Sequence, residues 1–296
     1  MERRVNVAAL VAYDGTSFAG FQRQSPDKGP TVQGAIEQAI QRIAGVATTI
    51  EGAGRTDSGV HASGQVISFQ TSARLTPPDW RRALNALLPG EIAVRAACAV
   101  DDGFRARHSA LARGYRYRVL CDATRDPLRE RYAWRVSHRL DVPAMRDAAR
   151  SLLGEHDFAA FGSSPHDRRG DGLRGHTVRT MLAAACEQRP ACAGSPAAKP
   201  VGEPVGEPVG EPGAEPEREA VEVEFRFTAN AFLSGMVRRL AGTLALVGAG
   251  KLTVADFQAI LAARDKAHPG AAAPACGLCL THVVYPPGSV TWSVAW

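Results

Sequence analysis

The sequence predicts a protein of the α+β class whose strands form a mostly antiparallel sheet. Strand-like segments and amphipathic helical segments alternate in the order β-α-β-β-α-β over residues 1–104, and the chain from residue 105 repeats that plan with insertions. A hydrophobic fraction of 45% and a charged fraction of 22% over 296 residues are typical of a globular protein with a large core. We therefore expect an N-terminal half, 1–104, and a C-terminal half, 105–296, with helices packed on the sheet.

The first half contains the segments of the split βαβ, or ferredoxin-like, plan. In chain order they are a buried strand at 5–13, a helix from Thr31 to Gly45, two strands on either side of a loop at Asp57, a helix opened by Thr76 and Pro77 and closed by Pro89-Gly90, and a strand at 92–100. Threonine side chains can cap the first turn of a helix, and glycine readily ends one in the left-handed conformation.

The second half is predicted to repeat this plan. Residues 115–119 alternate tyrosine or valine with arginine, which predicts a strand with one apolar and one basic face. The other predicted segments are a helix from Asp141 to Gly154, strands at 178–186 and 221–227, helices at 232–248 and 253–261, and a strand at 278–285. We expect two tandem ferredoxin-like, RRM-like halves that share one sheet.

An acidic insertion interrupts the second half at about 188–218. It repeats Val-Gly-Glu-Pro three times in register from Val201, and such a sequence offers no apolar face, so we expect a disordered loop. The net charge of the chain is +5, and it is +8 without residues 187–218, which favours a polyanionic partner. No segment after Met1 resembles a signal peptide, and no apolar run reaches membrane-spanning length. We expect a cytoplasmic protein with no membrane partner.

The main candidate for a catalytic site is the stretch Gly54-Arg-Thr-Asp-Ser-Gly-Val-His61. It places Arg55, Asp57 and His61 in a glycine-rich turn between two strands, where catalytic groups are commonly presented. Asp57 could equally be a plain turn residue that binds its own backbone. The residues of this stretch alone leave both interpretations open.

Two further segments are rich in arginine. Residues 104–117 contain four arginines and two tyrosines, which could hold phosphates and stack a nucleobase, or simply form a solvated strand face. Arg238 and Arg239 lie within an apolar helix, either at its surface or with one turned inward to pair with a carboxylate. The lone Cys276-Gly-Leu-Cys279 pair is a weak metal signal, and no phosphate-cradling or dinucleotide-binding motif occurs, so we expect neither a metal nor a nucleotide cofactor.

Eight short motifs are spread over most of the chain. They are Tyr13-Asp-Gly-Thr with Phe21-Gln, Thr31-Val-Gln33, the Gly54 to His61 stretch, Phe104-Arg-Ala-Arg, Arg113-Gly-Tyr-Arg-Tyr117, His156-Asp-Phe158, Met236-Val-Arg-Arg239 and Gly277-Leu278. In this order they resemble the tRNA pseudouridine synthase A family, from about Val5 to about Tyr285. The chain departs from that pattern at Ser58, where alanine is usual, and in the acidic insertion.

The resemblance implies the pseudouridine synthase fold and an isomerase, a tRNA pseudouridine synthase. Such an enzyme converts uridine to pseudouridine at positions 38, 39 and 40 of the tRNA anticodon stem-loop, as a homodimer and without metal or organic cofactor. The resemblance also implies residue roles. They are Asp57 as the catalytic carboxylate acting on a flipped-out base, Arg55 orienting it or handling the displaced base, Arg238 as the ion-pair partner of Asp57, Tyr115 stacking on the target uracil, and Arg113 and Leu278 as further substrate-binding residues.

Two other functions fit parts of the sequence. A non-catalytic RNA-binding protein or RNA chaperone would use the basic clefts of two RRM-like halves and leave the RNA unmodified. An aspartate-dependent hydrolase would need a metal or a second carboxylate near Asp57, and the sequence offers no clear metal-site spacing.

Overall fold

The structure is a computed structural model that describes residues 4–163, 176–190, 220–264 and 269–292. Strands and α-helices alternate along these residues. In chain order they are β1 (Val5–Tyr13), α1 (Val32–Ala44), β2 (Glu51–Gly52), β3 (His61–Thr71), α2 (Pro77–Leu87), β4 (Ile92–Val100), β5 (Ala112–Cys121), β6 (Trp134–Val136), α3 (Val142–Arg150), β7 (Gly154–Asp157), β8 (Val178–Pro190), β9 (Val221–Ala229), α4 (Met236–Gly248), α5 (Val254–Ala263) and β10 (Leu278–Val284).

The strands of the described residues form one ten-stranded sheet in the order β4-β1-β3-β10-β5-β9-β8-β7, with β2 beside β3 and β6 beside β5. Only the β3/β10 and β5/β6 pairs among them are parallel. The α+β class and the mostly antiparallel sheet are therefore confirmed. The finer description, two tandem ferredoxin-like halves divided near residue 104, stays an interpretation, because the sheet runs without a break from one half to the other.

Local signals set the helix starts as expected. The side chains of Thr31, Thr76, Asp141 and Thr253 each accept a hydrogen bond from a backbone N–H in the first turn of α1, α2, α3 and α5. Gly45 ends α1 with φ 73° in the left-handed region.

Several element bounds differ from the sequence-based ones. The strand before the Asp57 loop is only two residues long, because the N–H of Ile50 is bound by the Glu37 side chain at 3.1 Å instead of by a neighbouring strand. Helix α4 begins at Met236 and not near residue 232, since Ser234 pairs with Ser163 in an isolated bridge and Gly235 has φ 73°. Helix α3 ends at Arg150, short of Gly154. The short strands β6 and β7 were not anticipated.

The helices cover one face of the sheet and share with it the larger of two hydrophobic clusters. In the first half, the opposite face carries a smaller cluster that includes Leu10, Phe104 and Tyr285. In the second half that opposite face is charged, with Arg116 and Arg118 beside glutamates of β9. The predicted two-faced strand at 115–119 is confirmed, since Tyr117 and Val119 on its other side are fully buried.

The acidic insertion, for which the sequence predicts a disordered loop, lies outside the described residues from 191 onward, while 188–190 end β8. Across the described ranges, no helix combines the length and the apolarity needed to cross a membrane.

Candidate active site

The loop that joins β2 to β3, residues 53–60, presents Asp57; we call it the Asp57 loop. Hydrogen bonds hold it from the β1–α1 connection: the hydroxyls of Tyr13 and Thr56 lie 2.8 Å apart, and Phe21 N–H donates to the carbonyl of Thr56 at 3.0 Å. Ser58 Oγ donates to the carbonyl of Phe18 at 3.1 Å. Thr56 is buried whereas Asp57 and Ser58 are exposed, so the loop is anchored while its chemical groups face outward.

The start of the same loop is fixed by a buried amide. Gln65 is 0% exposed, and its side chain makes two hydrogen bonds with Gly54, from Gly54 N–H at 3.2 Å and to the Gly54 carbonyl at 2.7 Å. The end of the loop packs tightly against Gly15, which follows β1. A Cβ on Gly15 would lie 2.0 Å from the carbonyl oxygen of Val60, so no side chain fits at this position. The backbone around Asp57 is therefore preorganised before any substrate arrives.

Among the described residues, Asp57 has one charged partner. Its Oδ2 lies 3.6 Å from Nη1 of Arg238, in the first turn of α4, and the two side chains are 46% and 23% exposed. A hydrogen bond fixes the Arg238 side chain, because its Nε donates to the carbonyl of Ala273 at 2.7 Å. The structure thus brings together the two residues that the resemblance pairs, from opposite halves of the sheet.

Tyr115 lies next to this pair. Its hydroxyl would be 3.4 Å from a Cβ on Gly54, and its ring packs edge-on against Phe232 with centroids 5.0 Å apart. Burial raises the pKa of Tyr115 to about 12; nearby Arg113 counters this and Asp57 adds to it. The phenol is therefore neutral at physiological pH, and its side chain is largely buried, with 8% exposed.

Arg113 has a different environment from that of a free binding group. Its guanidinium donates five hydrogen bonds to four backbone carbonyls, those of Ala53, Arg107, Ala110 and Asn230, at 2.5–3.2 Å. These contacts tie the Asp57 loop to the segments before β5 and after β9. A direct contact of Arg113 with substrate stays a prediction. In the structure, its side chain holds these three backbone segments together.

Arg55 and Leu278 lie in contrasting places. Arg55 is exposed, and no ion pair or hydrogen bond joins its side chain to the described residues. Burial, with Arg107 adding to it, lowers the pKa of Arg55 below its ordinary value, so a second cation lies close by. Leu278 is buried and pairs with Tyr117 in the sheet, and the leucine of β10 that approaches Gly54 is Leu280.

A second carboxylate, Asp14, forms a cluster beneath the loop. It accepts hydrogen bonds from the backbone and hydroxyl of Thr16, from Arg131 Nε and from the Tyr132 hydroxyl, and its Oδ1 lies 3.1 Å from Nδ1 of His61. Burial alone would raise the pKa of Asp14, but these hydrogen bonds outweigh it and hold the pKa well below its ordinary range. Burial lowers the pKa of His61, so the imidazole is neutral at pH 7.

Several contributors to the site were not predicted from the sequence. Gln65 lies four residues after His61, but only its burial reveals what it does. Phe232, at the start of a predicted helix, and Ala273 belong to none of the quoted motifs. Asp157 of the His156-Asp-Phe158 motif accepts hydrogen bonds from Thr177 Oγ1 at 2.5 Å and from the Ala159 N–H at 3.1 Å.

Among the described residues, neither a cavity nor a metal-binding cluster indicates a different active site. A cavity of about 520 Å³ between α3, β7 and α5 is lined by His156 and Asp157 and by none of Arg55, Asp57, Tyr115 and Arg238. No group of three or more His, Cys, Asp or Glu side chains within the described ranges is placed to hold a metal ion. The Asp57 site is instead open at the surface, which suits a macromolecular substrate better than a small enclosed ligand.

Comparisons with known proteins agree with this geometry. A family model described as tRNA pseudouridine synthase matches residues 9–109 and 148–286. Similar curated proteins are named tRNA pseudouridine synthase A. One, from Geobacter sp. (strain M21), is 38% identical over 282 residues, covering 95% of this chain and 99% of the relative. Another, from Chloroflexus aurantiacus (strain ATCC 29366 / DSM 635 / J-10-fl), is 40% identical over 286 residues, covering 97% and 91%. A third, from Geobacillus kaustophilus (strain HTA426), is 39% identical over 283 residues, covering 94% of each.

Proposed function

Given that this chain belongs to the tRNA pseudouridine synthase family and isomerises uridine in tRNA, we propose that it acts at positions 38, 39 and 40 of the anticodon stem-loop with Asp57 as its catalytic carboxylate. The observation that carries the residue assignment is the position of Asp57. It projects from a preorganised loop, lies 3.6 Å from Arg238, and is near enough to Tyr115 for its charge to raise the pKa of that phenol.

The reaction needs a carboxylate with free lone pairs. The bond from C1′ of the ribose to N1 of uracil breaks, the base turns, and a bond from C1′ to C5 forms; N1 gains a proton and C5 loses one. A carboxylate can serve as nucleophile or as base in such a sequence. Asp57 accepts no hydrogen bond from the described residues and is half exposed, so both of its oxygens can reach a substrate. No oxidant, reductant or second substrate enters the balance.

Arg238 orients the carboxylate and places a positive charge beside it. At 3.6 Å with both groups partly exposed, the pair contributes about 1 kcal/mol to stability, so holding the fold together is a small part of its effect. Because tRNA excludes water when it covers the site, the same attraction becomes stronger in the complex. Anchored through Nε, Arg238 offers its Nη atoms to Asp57 without moving.

Tyr115 and Arg55 suit the handling of the base. A uridine in a stem must leave the helical stack before its glycosidic bond can be reached, at a cost of a few kcal/mol. The Tyr115 ring, held edge-on by Phe232, provides a stacking surface that offsets part of this cost. The unpaired Arg55 cation lies two residues from Asp57, where it can bind the displaced base or a neighbouring phosphate.

The experiment is to treat anticodon stem-loop transcripts that carry a single uridine at position 38, 39 or 40 and to map pseudouridine. Wild-type protein is expected to modify each transcript without added metal or nucleotide. Asp57→Ala is expected to lose at least about a thousandfold in rate, while Asp27→Asn, a change at an exposed turn carboxylate, retains full activity. An active Asp57→Ala protein would refute the catalytic assignment.

Two outcomes test the other parts of the proposal. Modification of tRNA elsewhere than in the anticodon stem-loop would contradict the proposed specificity. Binding of the transcripts by wild type with no modification would favour the RNA chaperone alternative instead. The homodimer implied by the family resemblance stays a prediction, which light scattering of the purified protein tests directly.

A further inference from the structure

A short segment connects the two sides of the Asp57–Arg238 pair. Residues 273–277, which we call the bridge segment, run along α4 just before β10. At Ala273 the segment binds Arg238 twice: the carbonyl accepts from Arg238 Nε at 2.7 Å, and the N–H donates to the Arg238 carbonyl at 3.0 Å. The direction in which the Arg238 guanidinium points therefore depends on where the bridge segment lies.

The middle of the bridge segment lies against the Asp57 loop. A Cβ on Gly59, two residues after Asp57, would lie 3.2 Å from the Cβ of Ala275. Gly59 itself has φ 75°, in the region that favours glycine, so the loop turns away at this point. The bridge segment thus contacts Arg238 and packs against the loop that carries Asp57.

Tyr117 supports the bridge segment from the core. Its side chain is 0% exposed, and its hydroxyl donates to the carbonyl of Pro274 at 2.8 Å. Its ring fills the space against Gly277, where a Cβ would lie 2.7 Å from the ring's Cζ. Because Pro274 has no N–H, its carbonyl is the one backbone group through which this residue can be fixed. A buried phenol that lacks this acceptor would be costly, so the contact is well defined.

We propose that Tyr117 is a positioning residue for the isomerisation, acting through the bridge segment and Arg238 on the alignment of Asp57. The inference rests on the function proposed above. An arginine side chain has many rotamers, and the Ala273 carbonyl restricts them only while the bridge segment is itself fixed. Misplacement of a catalytic group by about 1 Å can cost up to a hundredfold in rate. Removing the Tyr117 hydroxyl should therefore slow the chemical step and leave tRNA binding intact.

The first test compares two buried tyrosines. Tyr117→Phe keeps the ring and deletes the bond to Pro274, and Tyr285→Phe deletes a matched bond to the carbonyl of Ala106 on the other face of the sheet. Single-turnover rates are measured at saturating stem-loop and at a temperature where both variants are folded by circular dichroism. We expect Tyr117→Phe to be about tenfold slower with KM within about twofold of wild type. Tyr285→Phe should stay within about twofold in rate.

The second test asks whether Tyr117 acts through Arg238. Arg238→Lys keeps the charge but removes the Nε that binds Ala273. In that background Tyr117→Phe should change the rate by less than about twofold, because the connection is already cut. A further tenfold loss, or equal rates for Tyr117→Phe and wild type, would overturn the inference. Asp57→Ala in the same assay separates the two proposals, because its activity reports on the catalytic assignment alone.

Discussion

Two aspartates of the first half have opposite surroundings. Asp14 accepts four hydrogen bonds, two from Thr16, one from Arg131 and one from Tyr132, and its side chain is 16% exposed. Asp57 lies 3.6 Å from a single guanidinium and is 46% exposed. A carboxylate whose lone pairs are all engaged cannot attack or accept a proton without losing those bonds. The contrast teaches that the carboxylate proposed to act in catalysis is the one to which the fold gives the fewer partners.

The two carboxylates are nevertheless parts of one arrangement. His61, four residues after Asp57, lies against Asp14, and the Gly15 N–H donates to its Nδ1 at 3.1 Å. Asp14 thus lies at the end of the loop that carries Asp57, and the backbone next to Asp14 holds the His61 ring there. Three predictions test this contrast, beginning with the largest effect.

Removing the one charged partner of Asp57 should cost far more activity than removing a partner of Asp14. Arg238→Ala is expected to lower the single-turnover rate about a hundredfold, because Asp57 then loses both its orientation and the positive charge beside it. Arg131→Ala is the matched control: it also removes a guanidinium from an aspartate, but Thr16 and Tyr132 still bind Asp14. It should stay within about threefold of wild type. Comparable losses in the two variants would break the comparison.

The reverse contrast is expected for stability. Asp14→Asn should lower the free energy of unfolding by about 2 kcal/mol, because it weakens several hydrogen bonds to a charged acceptor. Asp57→Asn should change it by less than about 1 kcal/mol, since only a half-exposed ion pair is lost. Urea unfolding at pH 7 measures both values. An equally destabilised Asp57→Asn protein would mean that Asp57 is also a structural residue.

The smallest effect concerns acid. The pKa of Asp14 is held below its ordinary value in the folded protein, so its stabilisation is complete above the pKa of the unfolded chain, near 4, and is lost as the pH falls below that value. The stability difference between wild type and Asp14→Asn should therefore shrink from pH 5 toward pH 2, when measured by urea unfolding at each pH. A constant difference across that range would show that the charge of Asp14 is not what stabilises the fold.

Local features of the fold were predictable and distant ones were not. The caps at Thr31 and Thr253 depend on neighbours within three residues, and the Asp57 loop is marked by its own sequence. The hydrogen bond from Arg113 to the Asn230 carbonyl joins residues 117 positions apart, and no pattern in either segment predicts it. The Ala273 carbonyl that holds Arg238 is a backbone group, whose position depends on the whole sheet and not on residue type.

The strand in the middle of the sheet is also the last strand of the described residues to be synthesised. β10 lies between β3 and β5 and joins the two halves, and the bridge segment that anchors Arg238 directly precedes it. At about 5–20 residues per second, translation from Asp57 to Ala273 takes roughly 10–40 s. During that interval a nascent chain exposes the carboxylate without its aligned partner. If Asp57 and Arg238 act as proposed, a growing polypeptide therefore has no complete site for the tRNAs that surround it on the ribosome.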